Sequence, residues 1–195
     1  YYNGFANRTL WPLLHFRLDL VDYDRSTRQG YHRVNALFAD KLAPLLREDD
    51  TVWIHDYHLI PLAALLRERG IGCRIGFFLH VPMPSADLLM AMPDHQRLFS
   101  TLYAYDLLGF QTRRDNDRFQ SYVRLYGGGR VVGDNLLEVP GGRRFRSGAF
   151  PIGIDTAQIA TQAAAAMNKP ALRALRTSLE QRLLVLPVDH AAHEG

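Results

Sequence analysis

The chain has 195 residues, 47% hydrophobic and 22% charged, which is long enough for a domain with a true core and ordinary for a soluble globular protein. The net charge of +3 is spread over scattered arginines, which argues against a nucleic-acid partner and suits an anionic small molecule such as a sugar phosphate. A single cysteine, Cys73, excludes an internal disulfide framework and fits a reducing cytoplasm, and no apolar run is long enough to imply a membrane.

The opening residues, Tyr1-Tyr2-Asn3-Gly4, include neither a starting Met nor a signal peptide, so the sequence reads as beginning inside a longer one. Tyr1, Tyr2, Trp11 and Phe16 crowd this end. A core patch is the first expectation for such aromatics, and a sugar-binding wall is the second. Residues 31–46 carry Val34, Leu37, Phe38, Leu42 and Leu45 at helical spacing, with Pro44 weakening the last turn. Thr51-Val52-Trp53-Ile54-His55 follows a charged stretch and reads as a buried strand, with His55 a hydrogen-bonded core histidine.

Residues 57–69 predict a helix stopped by Gly70, and Arg74 to Leu79 predict a second strand. Ser85 is placed to cap a helix over 86–92, and 95–104 suggest another short helix. Asp106 to Phe110 predict a third strand, and 113–125 a charged amphipathic helix ended by Gly127-Gly128-Gly129. Residues 130–139 and 144–150 read as short strands about a turn at Pro140-Gly141-Gly142. Two helices, 155–167 and 169–182, part near Pro170, and Leu183 to Leu186 suggest a last strand. From Asp189 to Gly195 the pattern is lost, as in an irregular tail or a cut interdomain crossover.

Alternating strands and helices with unbroken apolar strands predict an α/β fold, a Rossmann-like parallel sheet with flanking helices. Ligands of such sheets bind beyond the carboxyl ends of the strands. Those positions hold Asp56, Tyr57 and His58 after the first strand, His80 to Pro84 after the second, and Gln111 and Thr112 after the third. Asp56 reads about equally as a helix cap and as a ligand contact. His80 is stiffened by Pro82 and Pro84, a rigidity an idle loop would not need, although a lone histidine is more often structural than catalytic. The basic cluster of Arg143, Arg144 and Arg146 reads as a solvated hairpin. There is no metal-helix pattern, no serine elbow and no phosphate loop, and Gly127 to Gly129 do not follow a strand.

Six blocks occur in one order across residues 1–155: YYNGFANRTLWPLLHFR, GYHRVNALFADKL, VWIHDYHLIPLA, IGFFLHVPMPS, YDLLGFQT and FPIGID. Together they resemble the trehalose-6-phosphate synthases. The resemblance implies the two-domain GT-B architecture, with residues 1–188 as part of the N-terminal, acceptor-side domain and 189–195 as the tail. It implies a retaining transfer of glucose from UDP-glucose, a co-substrate, to glucose 6-phosphate, with no cofactor and no metal. It implies that Tyr2 and Asp56 contact the acceptor sugar phosphate, that Trp11 and Val81 shape the cleft for the α-anomer, and that His80 bonds the donor glucose. His80 and Asp56 are the expected catalytic pair.

Two departures stand beside the resemblance. Val81 occupies a position that is commonly Ile in the family, and the family's Arg–Lys block for the donor phosphates is replaced by Pro187-Val188-Asp189-His190-Ala191-Ala192-His193-Glu194-Gly195. This chain alone is therefore expected to be inactive. Three alternatives remain open from sequence: a related synthase with another acceptor (of glucosylglycerol-phosphate or pseudo-glycosyltransferase type), a non-catalytic sugar-phosphate-binding remnant, or a truncated reading of an intact gene. The expected partners are a sugar phosphate and a nucleotide sugar, with no nucleic acid and no membrane. A homo-oligomeric parent stays open.

Overall fold

Period-two alternation decides which strand residues face the core. Ile54 of β1 (Thr51–His55) is buried, while Trp53 and His55 on either side of it are exposed. β2 (Arg74–Leu79) is buried from its second residue onward, as its unbroken apolar run predicts. β3 is Leu107–Phe110, β4 Arg130–Gly133, β5 Leu136–Glu138 and β6 Arg144–Ala149. In the computed structural model, which describes residues 1–167 and 169–179, these six strands form one sheet in the order β1-β2-β3-β6-β5-β4.

The pairs β1–β2, β2–β3 and β3–β6 are parallel, and β5 and β4 run antiparallel at the far edge. The expected α/β sheet is thus mixed, because Gly141 and Gly142, both at positive φ, turn β5 straight back into β6.

The chain divides into two compact units, Tyr1–Pro151 and Ile152–Gly195. The first holds the whole sheet. It opens with a wide helical segment, Tyr2–Leu10, broken at Gly4, and continues into α1 (Trp11–Leu14). α2 (Arg25–Leu42) begins six residues earlier than the apolar stripe predicts, because the Asp24 carboxylate accepts the Thr27 N–H at 2.8 Å and caps it there. Pro44 then forces the tighter turn Ala43–Leu45. The helix predicted over 57–69 is split into a turn, Tyr57–Leu59, and α3 (Leu62–Glu68), since Pro61 lacks the N–H that would bond back to the preceding turn and so is not tolerated inside a helix.

Between β2 and β3 lie α4 (Ala86–Leu89) and α5 (His95–Phe99), and the side chain of Ser85 makes no capping bond. α6 (Arg113–Tyr126) is capped by Thr112, whose hydroxyl accepts the Asp115 N–H at 3.1 Å. Leu62, Ala63 and Leu66 of α3 and Phe119, Tyr122 and Val123 of α6 share one buried core with Ile75, Phe77 and Leu108. In the second unit, Asp155 caps α7 (Thr156–Ala166), and α8 (Pro170–Ser178) follows. The strand predicted at 183–186 and the tail at 189–195 lie outside the described residues.

The predicted solvated hairpin is better bonded than expected. Arg143 and Arg67 both hold Asp106, at 2.6 and 2.9 Å, and Asp106 also accepts the Ile75 N–H. Arg144 pairs with Glu138.

The face of the sheet that bears Trp53 and Phe78 sets large rings over glycines. Trp53 registers with Gly76, and Phe78 with Gly109. A Cβ on Gly76 would lie 2.4 Å from the Trp53 ring, and one on Gly109 would lie 2.5 Å from that of Phe78. Phe150 covers Gly148 in the same way. Trp53 and Phe150 remain about half exposed, so this face is open where they lie.

Candidate functional site

The end of β1 delivers His55, Asp56, Tyr57 and His58 to the carboxyl rim of the sheet. Asp56 has φ 66° and ψ 172°, a conformation that is all but confined to glycine. Its side chain makes no capping bond to the turn that follows. Of the two sequence readings, the cap therefore fails. Strain of about 1–3 kcal/mol persists only where the surroundings hold it. Here the Asp56 N–H donates to the Phe78 carbonyl at 2.8 Å, fixing the backbone onto β2. The half-buried carboxylate accepts only a long bond of 3.4 Å from the His80 N–H, which leaves capacity for a hydroxyl-bearing ligand.

His80 is exposed at the end of β2, and its loop is held from below. The Met83 N–H donates to Asp115 at 3.0 Å, and Arg118 donates to the Met83 carbonyl at 3.1 Å while lying over the Phe16 ring. Val81 and Met83 are buried in the core cluster, so their side chains anchor this loop to the core. The His80 ring stacks on His55, with Nε2 of His80 2.9 Å from Nδ1 of His55. This corrects the sequence reading of His55: it is exposed, on the same face as Trp53, and its partner is His80.

The N-terminal aromatics converge on the same rim. Tyr2 stacks on His58 at 5.2 Å and 11°, and Trp11 packs on Tyr57 at 5.9 Å. Tyr57 in turn donates to Asn7 at 3.1 Å. Burial raises the Tyr57 hydroxyl well above its ordinary value, and the adjacent Asp56 charge adds to this. Burial lowers the His58 imidazole, against the opposing pull of Asp56. Tyr2 and Trp11 are about half exposed, and Phe16 is also exposed, so the core expectation fails for these three and the wall reading gains. Tyr2, Trp11, Asp56 and His80 are thus joined through Tyr57, His58 and one backbone bond. Among the described residues no three metal-ligating side chains cluster, and no helix is long and apolar enough to cross a membrane.

The sequence matches the profile of glycosyltransferase family 20 over residues 1–193. The chain belongs to glycosyltransferase family 20. A trehalose-6-phosphate synthase from Sinorhizobium fredii is 49% identical over 189 residues, which are 97% of this chain and 40% of that enzyme. The crystal structure of an α,α-trehalose-phosphate synthase (UDP-forming) from Burkholderia xenovorans in complex with glucose-6-phosphate superimposes with a TM-score of 0.82 at 46% identity, covering 93% of this chain and 40% of that one. The trehalose-6-phosphate protein from Escherichia coli bound with UDP-2-fluoro glucose gives the same TM-score at 46% identity, over 92% of this chain and 40% of its own. This family 20 chain therefore spans about two fifths of the relatives it matches, and its sheet is of the GT-B type they share.

Two features of the rim in this family 20 chain escape sequence reasoning, the part played by His58, which the strand-end rule already places there, and the exposure of His55. His58 serves as the platform for Tyr2, and its Nε2 is buried with no hydrogen-bond partner among the described residues. His55 bonds His80. The alternation in Thr51-Val52-Trp53-Ile54-His55 carries a usable signal: it puts His55 on the face of Trp53, away from Ile54.

Proposed function

We propose that this chain is the acceptor-side part of a retaining, UDP-forming glucosyltransferase, with residues 1–188 belonging to its N-terminal domain. The complete enzyme moves glucose from UDP-glucose to glucose 6-phosphate, giving α,α-trehalose 6-phosphate and UDP. The observation that carries the reading is Asp56: a strained carboxylate with no capping duty, held at the strand ends beside His80, with Tyr2 stacked on the nearby His58. Relatives solved with glucose-6-phosphate and with UDP-2-fluoro glucose share this sheet.

In this reading Asp56 and Tyr2 orient glucose 6-phosphate, and His80 bonds a hydroxyl of the donor glucose. The acceptor hydroxyl oxygen bonds to the anomeric carbon on the face from which the phosphate oxygen leaves, and its proton passes to the departing UDP. Configuration is retained by this front-face arrangement, and catalysis rests on positioning and electrostatics. Trp11 and, through the loop it shapes, Val81 restrict the acceptor to its α-anomer. No metal is assigned, since cationic side chains neutralise the diphosphate. Cys73, a free and buried thiol, suits work in the cytoplasm.

His190 stands where the resemblance calls for Arg, and the Lys has no counterpart in residues 187–195. That favours one further reading, a sugar-phosphate-binding remnant. Calorimetry with glucose 6-phosphate, paired with a UDP-release assay, tests both. Binding that weakens about ten-fold or more in Asp56→Asn and Tyr2→Phe supports the acceptor site. No binding at millimolar ligand sinks it. Turnover by these 195 residues alone would refute the assignment to an incomplete half.

A further inference from the structure

A cavity of about 590 Å³ opens between the N-terminal half of α2 and the start of α5. Arg25, Arg28, Gln29, His32 and Arg33 line it from α2. Their spacing of three, four, seven and eight residues puts them on one helical face. The adjoining stripe of the helix buries Tyr31, Asn35 and Ala39 in the core. Asp94 and Arg97 close the other wall.

The charge there is unbalanced. Four arginines face one aspartate, an excess of three that equals the net charge of the whole chain. Asp94 is taken by Arg28, which also donates to the Tyr23 hydroxyl at 3.0 Å. The guanidinium groups of Arg25, Arg33 and Arg97 have no hydrogen bond or ion pair among the described residues. His32 registers the resulting field: burial, then Arg28 and Arg97, hold its imidazole below the ordinary value.

We propose that this cavity is a second anion site, distinct from the strand-end rim, for a small molecule carrying two or more phosphate groups. Guanidinium forks match phosphate oxygens two at a time, which a lysine-lined pocket would not do. Arg25 and Arg33 stand eight residues apart, about 12 Å along the helix axis, so one phosphate does not engage both. A chain of phosphates does, with Arg97 closing from α5 and Tyr23, Gln29 and His32 supplying neutral polar contacts. The volume lies in the range of small-molecule sites, far above what a single phosphate fills.

Calorimetry of the intact chain with inorganic tripolyphosphate at low salt tests the site. The expected result is one equivalent bound, with the His32 ring resonances shifting on titration. Arg33→Gln combined with Arg97→Gln weakens binding by about ten-fold or more. Arg114→Gln with Arg124→Gln removes the same charge from α6, outside the cavity, and leaves affinity unchanged. Equal weakening by the two pairs would reduce the effect to net charge and overturn the proposal. Competitive displacement by glucose 6-phosphate, or absence of binding at millimolar tripolyphosphate, would also overturn it. So would loss of binding in a longer polypeptide containing this chain, because the protein's own acidic groups would then fill the cavity.

Discussion

His55 Nδ1 and His80 Nε2 face each other at 2.9 Å across the ends of β1 and β2. Two ring nitrogens in contact share one proton, so the tautomer of one imidazole fixes that of the other. Nitrogen-15 spectra of the two rings are expected to show this complementary pair. His55→Phe should release His80 to mixed tautomers while shifting stability by no more than about 0.5 kcal/mol, since His55 is exposed. His80 ring signals identical in wild type and variant would refute the coupling.

On the proposed acceptor role, Asp56 keeps a strained backbone for the sake of its carboxylate. Glycine accepts φ 66° and ψ 172° without penalty. Asp56→Gly should therefore raise the unfolding free energy by about 1 kcal/mol in urea and abolish binding of glucose 6-phosphate. A destabilised Asp56→Gly protein would mean that the carboxylate supports the fold.

Acid should unfold the chain in two stages. His32, His58 and His95 are all held below the ordinary value of 6.5, chiefly by burial. The unfolded chain therefore takes up their protons first, and stability falls as pH drops from that value toward the lowered folded ones. Asp106 provides the second stage. Burial opposes its charge, but the Ile75 N–H, Arg143 and Arg67 together outweigh that and lower it. Its contribution is complete above 3.8 and drains away as pH falls through the folded value. Urea midpoints across pH should show both limbs, with His95→Asn flattening only the upper and Asp106→Asn only the lower.

Gly109→Ala places a methyl group 2.5 Å from the buried Phe78 ring and 3.3 Å from Phe150. It should cost about 2 kcal/mol by overpacking. Gly72→Ala, whose Cβ meets nothing within 4 Å, serves as the control and should be near neutral. Equal midpoints for the two variants would show that the ring yields freely.

Strand β2 was legible from sequence to the residue, because an apolar run between a charge and a histidine has one reading in a parallel sheet. The position of Asp56 and His80 at one rim followed from topology, since residues after neighbouring parallel strands gather at the same edge. What escaped was decided by neighbours remote in sequence. The start of α2 depends on a cap at Asp24, and the exposure of His55 depends on which face of β1 the helices leave open. The strained turn at Asp56 leaves no trace in residue type, since aspartate is common both as a cap and as a ligand. The four-arginine cavity is invisible for the same reason: Arg97 is more than sixty positions from the stripe it faces, and only the packing of α5 beside α2 unites them.

β1 is the terminal strand of the sheet and pairs, among the described residues, only with β2. Its outer row of backbone N–H and C=O groups is a ready template for another strand. Arg47, Glu48, Asp49 and Asp50 stand immediately before that edge. Charges in that position discourage indiscriminate edge-to-edge stacking of identical copies.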